Sequence, residues 1–419
     1  MAEIPTAARV RSRAVGLPRR SRRPLMAHAL AGYYLTLGSA GLLLVIGLLM
    51  VLSASSISSL STYGTSFAIF NKQILWLVVG LPFGWLASRA TPRFLRGLTY
   101  PLLVVSLLGL VAVLVPGIGA SANGATRWIA LGGPLRFQPS EPAKLALVLF
   151  GADMLTRKEK LLGDWRHLLI PLLPLGLGMA ALVLLEPDMG TAMVLTGTVF
   201  AILVVVGAPG RVLASLLAAL AVAGSGLAIA APYRLARLTS FVDPFKDASG
   251  AGYQAVQGLY ALSSGGWLGV GLGASRQKWH YLPNAYTDYI YAILGEEFGL
   301  IGTVLVLMLF ATLAYGGILI AVRAVDQRGR LTAAGITACI LIQAILNMGA
   351  VTAVLPITGI PLPLISFGGS SLAVTLSAVG LLLSIARRSP GVAEGLGKRP
   401  ILRALRRPRR GTSLRATGR

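Results

Sequence analysis

Long apolar stretches, each close to the length of a bilayer crossing, alternate with short polar or basic connectors along almost the whole chain. They fall at 33–54, 73–90, 99–116, 139–155, 167–186, 189–207, 211–232, 298–322, 331–351 and 366–386. A spanning helix needs roughly 20 apolar residues. The pattern therefore predicts an all-α polytopic membrane protein, a bundle of about ten transmembrane helices. Polar residues interrupt the fourth stretch, and the fifth and sixth meet at the polar turn Glu186-Pro187-Asp188. One connector is long, at about 233–287. It is rich in glycine yet carries Tyr253, Tyr260, Trp267, Trp279 and Tyr281. Disordered linkers are poor in aromatics, so this segment is expected to be a large ordered loop with short helices packed on the bundle. The pattern divides the chain into a basic tail (1–30), a membrane domain (31–388) and a second basic tail (389–419). Both tails are expected to be disordered.

Composition agrees: 55% of the 419 residues are hydrophobic and 12% charged, a balance of membrane proteins rather than soluble ones. The formal net charge is +24, which raises nucleic acid as a partner. The distribution of charge argues for membrane lipid and against nucleic acid. Of the 38 Lys and Arg, 18 lie in residues 1–30 and 387–419, beside apolar spans. Basic flanks of this kind face the anionic cytoplasmic leaflet. An even span count puts both termini on one side. The short connectors on that side are also denser in Lys and Arg, so both termini are expected in the cytoplasm and 233–287 outside. No cleavable signal peptide is apparent, because the first apolar run is long enough to span. The single Cys339 precludes an internal disulfide, and the three histidines are too scattered to suggest a metal site.

Four polar constellations interrupt the apolar pattern. Arg136-Phe-Gln-Pro-Ser-Glu141-Pro-Ala-Lys144 sets three charges at the outer start of the fourth span. On a helix Glu141 and Lys144 share a face. The cluster is either an interfacial ion pair that orients the helix or an anion site for phosphate or pyrophosphate. In the second constellation, Thr287 and Asp288 precede Glu296 and Glu297. Either Thr287 caps a helix with Asp288 in its first turn, or Asp288 opens into an outer cavity as a general base. Glu186-Pro-Asp188-Met-Gly190-Thr reads as a turn. The fourth, from Leu355 to Ser371, carries prolines and glycines at membrane depth. Such backbone is tolerated only where protein buries it or it lines a polar cavity, which points to a re-entrant segment. Ser366 and Ser370 are its candidate substrate contacts. No nucleotide-binding glycine loop and no HExxH or GxSxG motif with plausible partners is present.

These same residues resemble the SEDS family (shape, elongation, division and sporulation), the family of FtsW, RodA and SpoVE. Residues 136–144 look like its RFQPSE-x-AK block. Pro283–Glu297 is similar to its PEAHTDFIFAxxGEE block, with Asn284 and Tyr286 where Glu and His are common. Residues 355–371 match LPVTGIPLPxISYGGSS, and 186–191 fit the (E/Q)PDxGT turn. Val51-Leu-Ser-Ala-Ser-Ser and Gly295-Glu296-Glu297 resemble the division branch more than the elongation branch.

The resemblance implies a glycosyltransferase that polymerises lipid II, a disaccharide-pentapeptide on polyprenyl pyrophosphate, into glycan strands at the outer face of the bacterial cytoplasmic membrane, at the division septum. It implies a class B penicillin-binding protein as crosslinking partner, with other divisome proteins. The family's essential Asp maps to Asp288, its cationic pair to Arg136 and Lys144, and its Glu to Glu141. No cofactor is required by this reading. A divalent cation (Mg or Mn) could assist at the pyrophosphate, although no dedicated metal cage is legible. Two rivals fit the same residues: a lipid II flippase, which needs ionisable residues at mid-depth on several spans, and a scaffold that only recruits the crosslinking enzyme.

Overall fold

The structure, a computed structural model, describes residues 30–122, 125–130, 132, 136–170, 172–229, 241–250, 252–389 and 391–392. Apart from residues 30, 389 and 391–392, the two tails expected to be disordered lie outside the described residues, as do 230–240 of the long connector.

Each predicted span is helical over most of its described length. They are α1 (Ala31–Tyr63), α2 (Ala68–Arg89), α3 (Pro92–Leu114), α4 (Ser140–Arg157), short α5 (Trp165–Leu169) with α6 (Leu172–Leu185), α7 (Met189–Val206), α8 (Gly210–Ile229), α10 (Ile290–Val322), α11 (Gln327–Val351) and α12 (Ser370–Ala386). A further helix, α9 (Tyr253–Ser264), and a 3-10 turn at Pro244–Asp247 occupy the long connector. Among the described residues, seven helical spans are long and apolar enough to cross a membrane. Of the other three, α8 and α12 are shorter apolar helices. The third, α4, carries four charged side chains and is nevertheless buried along most of its length. Its neighbours α3, α7 and α11 surround it, so it sits in protein rather than in lipid.

Local sequence sets the helix ends. Thr91 caps α3, accepting from the Phe94 amide at 3.3 Å, with Pro92 in the first turn. Asp188 caps α7 through the Thr191 amide at 3.0 Å. Between helices, small residues permit close approach. Gly80 and Gly84, one turn apart on α2, lie against Ala373 and Leu376 of α12, and Gly380 lies against the Gly84 carbonyl. This is the small-residue packing by which membrane helices associate where no hydrophobic effect drives them together.

One feature departs from the all-α expectation. Residues 119–137 form a small antiparallel sheet ordered β1-β2-β3: Gly119–Ala122, Ala125–Ala130 and Arg136–Phe137. Ala122 pairs with Ala125, and Ala130 with Arg136. The strands are too short for alternation to show in a hydropathy profile. The signal that was available is Asn123-Gly124, the composition of a two-residue hairpin loop.

The bundle has two polar ends. One gathers the sheet, the α6–α7 turn, the start of α4 and the segment 355–369. At the other, buried Asp153 of α4 receives Arg328 of α11 at 3.3 Å, Arg157 at 2.8 Å and the Tyr100 hydroxyl at 3.2 Å. Arg328 also donates to Thr99 at 2.8 Å and to the Leu95 carbonyl. A network of buried charges therefore ties α3, α4 and α11 together at this end.

Candidate functional site

The segment between α11 and α12 is irregular from 355 to 369, and none of its residues is exposed. This is the environment the re-entrant reading requires. Its backbone polar groups are met by side chains of α11, by its own Ser366 and by the backbone before α10. The Ser366 hydroxyl donates to the Thr287 carbonyl at 2.6 Å and accepts from the Leu362 amide at 2.8 Å. Gln343 of α11 donates to the Pro361 carbonyl at 2.9 Å. Asn347, one turn later, donates to both the Ile360 and Asp288 carbonyls at 2.7 Å. The Phe367 amide bonds the Tyr286 carbonyl at 3.0 Å, and their rings meet edge to face.

Asp288 is the centre of this arrangement. It lies in the turn just before α10, which starts at Ile290 with no side-chain cap. The capping alternative, with Thr287 as cap and Asp288 in the first turn, is thus not what the chain adopts. The Thr287 hydroxyl bonds back to the Asn284 carbonyl instead. The Asp288 carboxylate is half-buried and faces Gly359, where a Cβ would come within 3.6 Å of Oδ2. Backbone clamps therefore fix Asp288 on both sides: Ser366 through Thr287, and Asn347 through the Asp288 carbonyl. The result is a partly buried carboxylate on a fixed backbone mount.

The Arg136, Glu141 and Lys144 cluster is split. Glu141 and Lys144 are buried and paired at 3.0 Å, and Lys144 also donates to Gln343 at 2.6 Å. Arg136 is exposed at the end of β3. Of the two readings of this cluster, the interfacial ion pair is not what Glu141 and Lys144 adopt. The start of α4 is drawn under the 355–369 segment, which takes Glu141 and Lys144 inside. An interfacial ion pair would snorkel to water, and this one does not. A buried pair is weak evidence for stability, and ionisable groups at such depth usually mark function. The pair borders a small open-sided pocket, otherwise lined mostly by apolar side chains such as Leu145, Val148, Ile340, Pro363 and Val374.

Ser370 is buried and its hydroxyl accepts from the Gln138 amide at 3.1 Å. Both serines are therefore occupied in bracing the site. The Gln138 side chain reaches Asp188 at 3.3 Å. The 186–188 segment is the turn the sequence predicts, held by Arg127 of β2. That guanidinium donates to the Glu186 and Pro187 carbonyls and lies 3.7 Å from the Asp188 carboxylate. Glu186 is only 1% exposed, and neither of its carboxyl oxygens has a hydrogen-bond partner. Burial, with Asp188 beside it, pushes its pKa up to about 8 against the opposing pull of Arg127.

Arg127, Gln138, Gln343 and Asn347 are the residues that sequence reasoning missed. The two amides had a signal, being uncharged polar groups one turn apart inside an apolar run. Among the described residues there is no group of three His, Cys, Asp or Glu that could hold a metal ion. The residues present therefore do not build a cage for a divalent cation.

The described residues thus define a helical membrane bundle with an irregular polar cup, in which one clamped carboxylate lies near a buried lysine–glutamate pair. The comparisons with known proteins agree in placing it. The sequence profile of the family described as "Cell cycle protein" (FtsW, RodA, SpoVE) matches residues 34–390, and the chain belongs to this family. It is 41% identical over 367 residues to the probable peptidoglycan glycosyltransferase FtsW of Mycobacterium tuberculosis, covering 88% of this chain and 70% of that one. It is 41% identical over 350 residues to stage V sporulation protein E of Bacillus subtilis, covering 83% and 95%. Among solved structures it superposes on a chain of a peptidoglycan synthase complex that coordinates polymerization and crosslinking (TM-score 0.67, 30% identity, 87% and 99% covered). It also superposes on the rod shape determining protein RodA of Thermus thermophilus (TM-score 0.60, 29% identity, 87% and 99% covered).

Proposed function

We propose that the protein is a peptidoglycan glycosyltransferase that polymerises lipid II at the outer face of the cytoplasmic membrane, in the division branch of its family. The observation that carries this reading is the clamped, half-buried Asp288 at the polar cup. The acceptor's sugar 4-hydroxyl attacks the anomeric carbon of the donor strand, and Asp288 takes its proton. The bond from that carbon to the pyrophosphate oxygen breaks with inversion, and polyprenyl pyrophosphate leaves. Exposed Arg136 meets the pyrophosphate first. Lys144 supplies charge at the inner end of the cup, with Glu141 and Gln343 holding its ammonium in place. Preorganised charge of this kind typically contributes roughly 10²–10³-fold per group. No step is routed through a metal.

The buried ion network at the opposite end favours catalysis over translocation. Asp153, Arg157 and Arg328 close that end with mutual bonds. A flippase needs a polar path there. The partner in this reading is a class B penicillin-binding protein that crosslinks the new strands, together with other proteins of the divisome.

The test is polymerisation of labelled lipid II by the purified protein with its cognate crosslinking partner. Asp288→Asn should abolish product while the variant stays folded and inserted. Near-normal product from that variant would sink the general-base role and leave the scaffold reading standing.

A further inference from the structure

The helix α10 is broken at Gly299, whose φ of 66° lies in the left-handed region that favours glycine. In an unbroken helix the amides of residues 300 and 301 would bond the carbonyls of 296 and 297. A loop is spliced into that ladder instead. The Leu300 and Ile301 amides donate to the Gly266 and Trp267 carbonyls at 2.9 and 3.3 Å. The freed Glu296 and Glu297 carbonyls accept from the Val270 and Gly271 amides at 2.9 and 3.1 Å. Only glycine fits the crossing, since a Cβ at 299 would lie 2.4 Å from the Gly269 nitrogen and 2.5 Å from the Trp267 oxygen.

The loop is also anchored from behind. The Glu296 carboxylate accepts from the Ser275 hydroxyl, the Arg276 amide at 3.0 Å and the Gln277 amide at 3.4 Å. Buried Lys278 lies 3.4 Å from the Glu297 carboxylate, and Ser53 of α1 donates to the same oxygen at 2.6 Å. These groups fix the loop as rigidly as a helix.

Its outward face is apolar. Residues 262–275 contain no charge. Trp267 and Leu268 are 75% and 78% exposed, and Val270 and Leu272 are exposed with them. That face runs directly into the exposed apolar side of α10 at Leu300, Ile301 and Leu305, where a spanning helix meets hydrocarbon. Irregular backbone is tolerated in lipid where its polar groups are paired within the protein, and the spliced bonds pair the Gly266 and Trp267 carbonyls and the Val270 and Gly271 amides of this loop. Trp favours the boundary between headgroup and acyl chain, and Arg276 stands at the loop's far edge.

We propose that residues 266–272 form a lipid-inserted wedge, seated in the outer leaflet beside α10. The inference does not depend on the reaction proposed above. Its consequence is that the connector leading to Asp288 is moored to the leaflet itself.

The test uses the full chain with Cys339 replaced by Ala and a thiol-reactive fluorophore at Leu268→Cys. The protein is reconstituted alone in phosphatidylethanolamine and phosphatidylglycerol vesicles. Leu305→Cys on α10 is the lipid reference and Lys246→Cys the aqueous one. All three positions are exposed, so the substitutions leave packing intact. A nitroxide on the upper acyl chain should quench the Leu268 label as strongly as the Leu305 label, and aqueous iodide should reach it far less than the Lys246 label. Iodide quenching equal to that at Lys246 would overturn the wedge. Protection from both quenchers would overturn it as well, showing that protein covers the face instead.

Discussion

Glu186 is the most unusual ionisable residue of the cup, buried without a hydrogen bond beside a second carboxylate. An acid whose folded-state pKa is raised keeps its proton after the unfolded chain has lost it. Here the window runs from the ordinary value of 4.5 to about 8. Across it the folded state binds more protons, so stability falls as pH rises. Below that window both states are protonated and the cost disappears. Glu186→Gln keeps the shape and removes the titration. It should raise thermal stability of the detergent-solubilised protein at pH 7–8 by about 1–3 kcal/mol, with the gain vanishing near pH 4. A gain that persists unchanged at low pH would show that it does not arise from the titration of Glu186. The (E/Q)PDxGT pattern that the turn resembles, with Glu and Gln interchangeable at this position, fits a residue that acts in its neutral form.

The role of α11 was invisible in its hydrophobic profile. Gln343 and Asn347 sit one turn apart and brace the irregular segment against Asp288. Asn347→Leu preserves approximate volume but leaves the Asp288 and Ile360 carbonyls without their donor. Each buried orphan costs about 1–3 kcal/mol. Turnover should fall, because the Asp288 mount loosens, while membrane insertion is retained. Turnover equal to wild type in the Asn347→Leu variant would show that Asp288 is positioned by Ser366 alone. This dependence explains what the sequence could and could not reveal. Apolar runs specify helices because each span must satisfy its own backbone, so the ten spans were legible. Asp288, Lys144 and the 355–371 segment were legible because charge and proline at membrane depth are costly. The depth of Lys144 was not, since it depends on how the 355–369 segment folds over the start of α4. The partners Arg127, Gln138 and Asn347 come from three separate elements, and no local pattern joins them. The small sheet escaped for a related reason: its third strand is two residues long and is defined only by pairing.

The orientation of the whole bundle decides whether the cup can meet an extracytoplasmic substrate. The described residues place the cup and the Trp267 loop at one end, and the Asp153–Arg328 network at the other. The connectors near the second end hold Arg89, Arg93, Arg96, Lys158, Arg323 and Arg330, a concentration of the kind that marks cytoplasmic loops, and we propose that this end faces the cytoplasm. With Cys339 removed, a membrane-impermeant thiol reagent applied to intact cells should label Lys246→Cys and should reach Arg330→Cys only after permeabilisation. The opposite pattern would put Asp288 on the cytoplasmic side and exclude strand synthesis outside. The expected pattern also constrains the chemistry. ATP is absent outside the membrane, so the reaction must draw on an activated bond already present in the substrate. A polyprenyl pyrophosphate glycoside carries such a bond, and the wedge would hold the cup at the depth where its pyrophosphate emerges from the leaflet.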